Sequence, residues 1–292
     1  MIDNQLINLM ACPICKYYPL DVRISKEIGG YRDEEIFCIS CGKTFDIISG
    51  IPVMLPDFIG RNLSSRKRSW RKWSNKLQNF IEWRRLKWNV PQAQKFKIQR
   101  NELYHNFFSF CELLHTAEGY ILDIGCGDGV VRSWLGESCI YVGIDPLPIP
   151  SMINQFRMVQ GVGERLPFRD GIFDHVIIMQ TLDHCFSSKL LISEAMRVLK
   201  RNGSVNISQL INRPRKRLPW KTRMKKKVKA ILLDEPFYDP CDSKTYFYSK
   251  ATLTSLVNNY FHDIKSETVI MQNQTFLHLR AKIIITAQSW HI

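Results

Sequence analysis

Beyond residue 117 the apolar positions fall into short, nearly continuous runs near 120–124, 140–144, 156–160, 173–180 and 203–210, separated by glycine and charged turns. Runs of this length predict strands. Between the fourth and fifth runs, residues 187–200 place Leu190, Leu191, Ala195, Val198 and Leu199 at helical spacing toward a sheet, with Asn202-Gly203 as the stop. Further along, 249–260 predicts a helix, and 261–270 with 276–286 a closing hairpin. Two more helices are expected within 64–88 and 92–114, and 212–245 interrupts the pattern as an insertion. Strands alternating with helices, then an antiparallel finish, predict an α/β fold built on a doubly wound, mostly parallel sheet.

The first run ends in Ile121-Leu122-Asp123-Ile124-Gly125-Cys126-Gly127-Asp128-Gly129, and the second in Ile144-Asp145, 22 residues after Asp123. Alternate glycines let a buried strand turn tightly into a helix while a ligand lies against bare backbone. A dinucleotide fingerprint would need a glycine where Val130 stands, so that assignment fails. The pattern resembles the S-adenosylmethionine (SAM) site of class I methyltransferases. Gln160-Gly161-Val162-Gly163-Glu164-Arg165-Leu166-Pro167-Phe168-Arg169-Asp170-Gly171-Ile172-Phe173-Asp174, Thr181-Leu182-Asp183-His184 and the helix ending Glu194 to Gly203 follow in the order of the type-11 methyltransferase domain.

That resemblance, over roughly residues 113–211, implies a seven-stranded Rossmann-like sheet and a SAM-dependent methyltransferase. It implies that Asp123 holds the amino-acid end of SAM, that Gly125 and Gly127 let the cofactor approach the backbone, and that Asp145 accepts from the ribose hydroxyls. Val162, Gly163 and Glu164 would flank the adenine, and Gln180 would close the pocket. Methyl transfer needs mostly alignment and desolvation, so few catalytic residues are expected. His184 with Asp183 is the candidate general base for a hydroxyl acceptor; the alternative is that Asp183 caps a helix while His184 packs. Tyr246 and Tyr248 are weaker candidates, and His175 reads as structural.

Cysteines change the picture at the front of the chain. Cys12-Pro-Ile-Cys15 and Cys38-Ile-Ser-Cys41 form two C-x-x-C knuckles with 22 residues between them. Two such turns supply a tetrahedral S₄ set typical of structural Zn²⁺, closed to catalysis. With Thr44 to Leu55 behind it, this segment resembles the small zinc-ribbon proteins that serve as activator subunits of tRNA and protein methyltransferases. Ribosomal-RNA guanine methyltransferases also carry an N-terminal ribbon, usually with a histidine where Cys41 stands. The expected organisation is a zinc ribbon at 1–60, a basic helical linker at 61–112, and a methyltransferase domain at 113–292.

The 292-residue chain has a net charge of +14, concentrated in two stretches. Residues 61–100 carry +12 and residues 213–229 carry +10, so the remainder nets −8. Trp70, Trp73, Trp83, Trp88 and Trp220 lie in these stretches, and basic plus aromatic character predicts a polyanionic partner. Trp220, Met224, Val228 and Ile231 fall on one side of a lysine-rich helix within 213–233, as in helices that lie on anionic lipid. The reading is therefore transfer to a small-molecule or lipid- or glycan-linked acceptor, at oxygen, with peripheral contact to the membrane. RNA is the alternative partner, as in a tRNA or rRNA methyltransferase, and a non-catalytic SAM-binding adaptor is the third class. No run is long enough to span a membrane and no signal peptide leads the chain, so a cytoplasmic location is expected, with peripheral contact at the inner membrane face.

Overall fold

The computed structural model describes residues 2–28, 31–56, 117–146, 156–211, 248–271 and 274–282, together with Trp220, Lys221 and Met224. The helices expected within 64–88 and 92–114, and Tyr246, lie outside the described residues, as does most of 212–245.

The N-terminal part begins with α1 (Asn4–Leu9), started by Asp3, whose carboxylate accepts from the Gln5 N–H at 2.8 Å. Four strands follow, β1 (Asp21–Ile28), β2 (Tyr31–Phe37), β3 (Thr44–Ile48) and β4 (Ile51–Pro52), forming an antiparallel sheet in that order. The large sheet contains β5 (Gly119–Ile124), β6 (Cys139–Asp145), β7 (Arg157–Gln160), β8 (Phe173–Met179), β9 (Leu199–Ile211), β10 (His262–Met271) and β11 (Gln274–Lys282). Its order is β10-β11-β9-β8-β5-β6-β7. Strands β5 to β9 run parallel, and β11 and β10 pair antiparallel beyond β9. The chain leaves β5 toward β6 and returns to its other side with β8, which makes the carboxyl end of β5 the switch point where ligands bind in open α/β sheets.

Central strands are apolar on both faces because both are covered. Leu122, Ile124, Val176 and Ile178 join one buried cluster, whereas Ile121, Ile177 and Met179 join another on the opposite face. On the first face lie α2 (Ser188–Val198) and α3 (Lys250–Asn258), begun by Ser187 and Ser249 as N-caps.

Three expectations are corrected here. Leu190 does not face the sheet: it is 38% exposed, and Ile192 is buried with Leu191, Ala195 and Val198. Leu190 and Ile192 flank Leu191 by about 100° on either side, so periodicity alone does not choose between them. The helix stops at Val198 rather than at Asn202-Gly203, because Leu199 already pairs with Phe173 and begins β9. Gly203 lies within β9, where the β8–β9 register shifts between Phe173 and His175. The glycine turn after β5 leads into a five-residue 3₁₀ turn, Val130–Trp134, not a long helix.

The N-terminal part packs directly on the large sheet. Val53 bridges Gln160 in parallel register, and Met54 N–H donates to Gln160 O at 2.8 Å, so backbone polar groups at the edge of β7 are paired. Met10 bridges Phe168, with Ala11 N–H on Pro167 O and Arg169 N–H on Leu9 O, each at 3.0 Å. Leu6, Met10, Ile36, Phe45 and Met54 belong to one apolar cluster with Leu166 and Phe168.

Candidate functional site

At the carboxyl ends of β5 and β6 the structure brings together Asp123, Gly125, Gly127 and Asp145. Asp123 is 1% exposed and its Oδ2 accepts from the Tyr141 hydroxyl at 2.7 Å, which fixes the carboxylate plane. Burial, then the charge of Asp123, pushes the Tyr141 phenol well above its ordinary value, so it stays a donor. Gly125 takes φ of +76°, and a Cβ there would overlap the Thr181 side chain. Its N–H donates to Ile144 O at 2.7 Å, tying the turn to β6. The Gly127 N–H donates to Asp145 Oδ2 at 2.9 Å, so the second acid shapes the turn as well as facing it. A bare-backbone turn between two buried carboxylates fits a ligand with an ammonium group and a vicinal diol.

Beside it, Val162, Gly163 and Glu164 form the loop after β7, and all three are buried. A Cβ at Gly163 would stand 2.7 Å from Leu191, so the loop and α2 are in close contact. Glu164 Oε1 accepts from the N–H groups of Phe186 and Ser187, the latter at 3.1 Å, at the start of α2. Burial raises its pKa, and those backbone donors counter the rise. This carboxylate is thereby engaged with the helix start. Gln180 is similarly engaged: Nε2 donates to Ser208 O at 3.1 Å and Oε1 accepts from Leu210 N–H at 3.1 Å, bridging β8 to β9.

After β8, Asp183 is buried and His184 is not. His184 Nε2 lies 3.7 Å from Asp183 Oδ1, with side-chain exposures of 44% and 6%. The turn is held by His184 N–H on Thr181 O at 2.9 Å and by the Tyr248 hydroxyl on Leu182 O at 3.4 Å. Tyr248 therefore contacts the turn through its hydroxyl. His175 Nδ1 lies 2.7 Å from Ser204 Oγ across the strands, a structural contact.

In the N-terminal part, the Sγ atoms of Cys12, Cys15, Cys38 and Cys41 all lie within 4.8 Å of one another. The Cys12–Cys41 and Cys15–Cys38 separations are 3.6 and 3.5 Å. A tetrahedron with metal–sulfur bonds of about 2.3 Å has edges of about 3.8 Å, so the four thiols fit a zinc ion.

Of the two basic stretches, 61–100 lies outside the described residues, and 213–233 is described at Trp220, Lys221 and Met224 alone, all helical. Trp220 is 71% and Met224 50% exposed. No helix among the described residues is long and apolar enough to cross a membrane. Sequence reasoning missed Tyr141 and the joined side chains of Lys16, Glu194 and Arg197. The one available signal was the Glu194–Arg197 spacing, three apart on a helix.

A family model described as a methyltransferase domain matches residues 122–207. An uncharacterized protein of Methanocaldococcus jannaschii is 34% identical over 96 residues, 32% of this chain, and the chain spans 45% of that relative's length. A UPF0434 protein of Coxiella burnetii is 36% identical over 55 residues, 19% of this chain and 84% of its own. Among solved structures, the Burkholderia thailandensis 1,6-didemethyltoxoflavin-N1-methyltransferase, with its substrate and S-adenosylhomocysteine (SAH) bound, superposes with a TM-score of 0.52. It is 12% identical and the match covers 85% of this chain and 98% of that one, a likeness of fold.

Proposed function

We propose that this chain, a member of the SAM-dependent methyltransferases through residues 122–207 and of the UPF0434 family over 55 residues, methylates a small-molecule or lipid- or glycan-linked acceptor at oxygen. The observation that carries the reading is the glycine turn at the switch point, set between the buried carboxylates of Asp123 and Asp145. SAM, when bound, would supply a methyl group already activated on a sulfonium, with SAH as the leaving group. The chain supplies position. Asp123, oriented by Tyr141, takes the ammonium end; Asp145 takes the ribose hydroxyls; backbone groups of Val162 and Gly163, with the Glu164 carboxylate turned to α2, flank the adenine.

His184 removes the acceptor's proton as the oxygen lone pair forms its bond to the methyl carbon. Asp183, 3.7 Å away and buried, favours the imidazolium that results. Cys12, Cys15, Cys38 and Cys41 would hold a zinc ion whose four-thiolate shell leaves no open position for this chemistry. Incubation of the protein with labelled SAM and, separately, membrane extract, small-molecule extract and RNA is the test. Label in an extracted lipid or small molecule, lost in His184→Ala with SAH affinity kept, supports the reading; label confined to RNA refutes it. The exposed Trp220 and Met224, one helical turn apart beside Lys221, favour an anionic membrane as the surface on which the acceptor is met.

A further inference from the structure

Between the cysteine knuckle and the loop after β7 lies a charge cluster that methyl transfer itself does not use. Lys16 directly follows Cys15 and takes φ of +65°, with its N–H on Cys12 O at 2.8 Å. The knuckle thus dictates where this side chain begins. Its Nζ donates to Leu166 O at 3.0 Å and to Glu194 Oε2 at 2.6 Å. The same carboxylate oxygen accepts from Leu166 N–H at 2.8 Å and from Arg197 at 2.8 Å. Arg197 continues to Leu166 O at 3.1 Å and Phe168 O at 2.8 Å.

Both peptide groups of Leu166 are therefore held by charged side chains, one from the ribbon and two from α2. At its other end the loop is held by Met54 N–H on Gln160 O at 2.8 Å. Val162, Gly163 and Glu164 lie between these two ribbon contacts, with Glu164 also bonded to the start of α2. Side-chain exposures of 24% for Lys16 and 14% for Glu194 mean the pair works largely out of water, where charge-assisted hydrogen bonds are strong.

We infer that Lys16 is a positioning residue through which the metal knuckle sets the loop that flanks the adenine, so that SAM affinity depends on the ribbon's metal. The inference rests on the cofactor reading above. The full chain is used for the test, with SAH calorimetry and hydrogen exchange of peptides covering 160–168. Lys16→Met, with zinc content unchanged, loosens that loop while β9 to β11 exchange as in the parent. It weakens SAH by about tenfold, the scale of a lost charged hydrogen bond. Lys16→Arg restores most of both. Arg157→Ala, which breaks the ribbon's ion pair with Asp3 at the start of β7, leaves SAH affinity intact.

A parent that binds no SAH overturns the cofactor reading and this inference with it. A parent that binds SAH no more tightly than Lys16→Met overturns the inference alone, as does an equal loss in Arg157→Ala. Should Lys16→Met fail to fold, the parent stripped of metal by a chelator takes its place, and retained SAH affinity there overturns the inference.

Discussion

Acid should destabilise this fold through one buried imidazole. His278 lies in β11 opposite Ser208 of β9 and Glu267 of β10, and is 4% exposed. Burial lowers its pKa to about 4, with the charge of Glu267 opposing the shift. A histidine in the unfolded chain titrates near 6.5. Between these values the unfolded state binds a proton that the folded state refuses, so stability falls as pH drops from 6.5 toward 4 and is level above about 7. At pH 5 the unfolded imidazole is charged and the folded one neutral. The gap of about 1.5 units, at 1.36 kcal/mol each, costs about 2 kcal/mol relative to pH 7. His278→Gln keeps a polar side chain of similar size and removes the titration. Urea unfolding of parent and variant at pH 7 and pH 5 isolates the effect, because every other acid-sensitive group, the cysteine knuckles included, is common to both. The variant should lose about 2 kcal/mol less than the parent on acidification. An equal loss in both proteins would refute the assignment of a neutral buried His278.

Two further outcomes follow from the ribbon and the insertion. Purified protein should carry one zinc per chain by elemental analysis, and Cys38→Ser should lose it, since three thiolates leave the tetrahedral shell open; full zinc in the variant sinks the ligand set. Anionic liposomes should sediment the parent and release a Met224→Ser, Val228→Ser double variant, whereas RNA retardation should barely change; a double variant that sediments like the parent refutes the membrane surface.

Legibility differed between local and long-range features. The strands could be read because burial on both faces leaves an apolar run, and the glycine turn because only glycine tolerates the backbone at Gly125. The cysteine set followed from spacing alone, since two residues between thiols bring both onto one ion. Leu190 and Ile192 flank Leu191 at equal angles, and the side of α2 that carries Leu190 also carries Glu194 and Arg197, four and seven residues on, which bond to each other and, through Glu194, to Lys16. That contact joins residues 178 positions apart, beyond any periodicity. Glu194 illustrates the physics: burial alone would raise its carboxyl, yet hydrogen bonds from Arg197 and the charge of Lys16 hold it below the ordinary range. Glu164 was expected beside the adenine; that its side chain also bonds to the start of α2, a partner 22 residues away, is something the loop sequence does not announce. Docking of the ribbon on the edge of β7 was equally invisible, because backbone pairing at Gln160 leaves no mark in side-chain pattern.

The central claim, a SAM site between Asp123 and Asp145, is tested most directly by calorimetric titration of SAH into the parent and into Asp145→Ala. The parent should bind one equivalent. The variant should bind about tenfold more weakly or worse, because the ribose hydroxyls lose their carboxylate and the Gly127 N–H loses its acceptor, together roughly 1 to 3 kcal/mol. Unchanged affinity in a folded Asp145→Ala, or a parent that takes up no SAH, would contradict the placement of the cofactor.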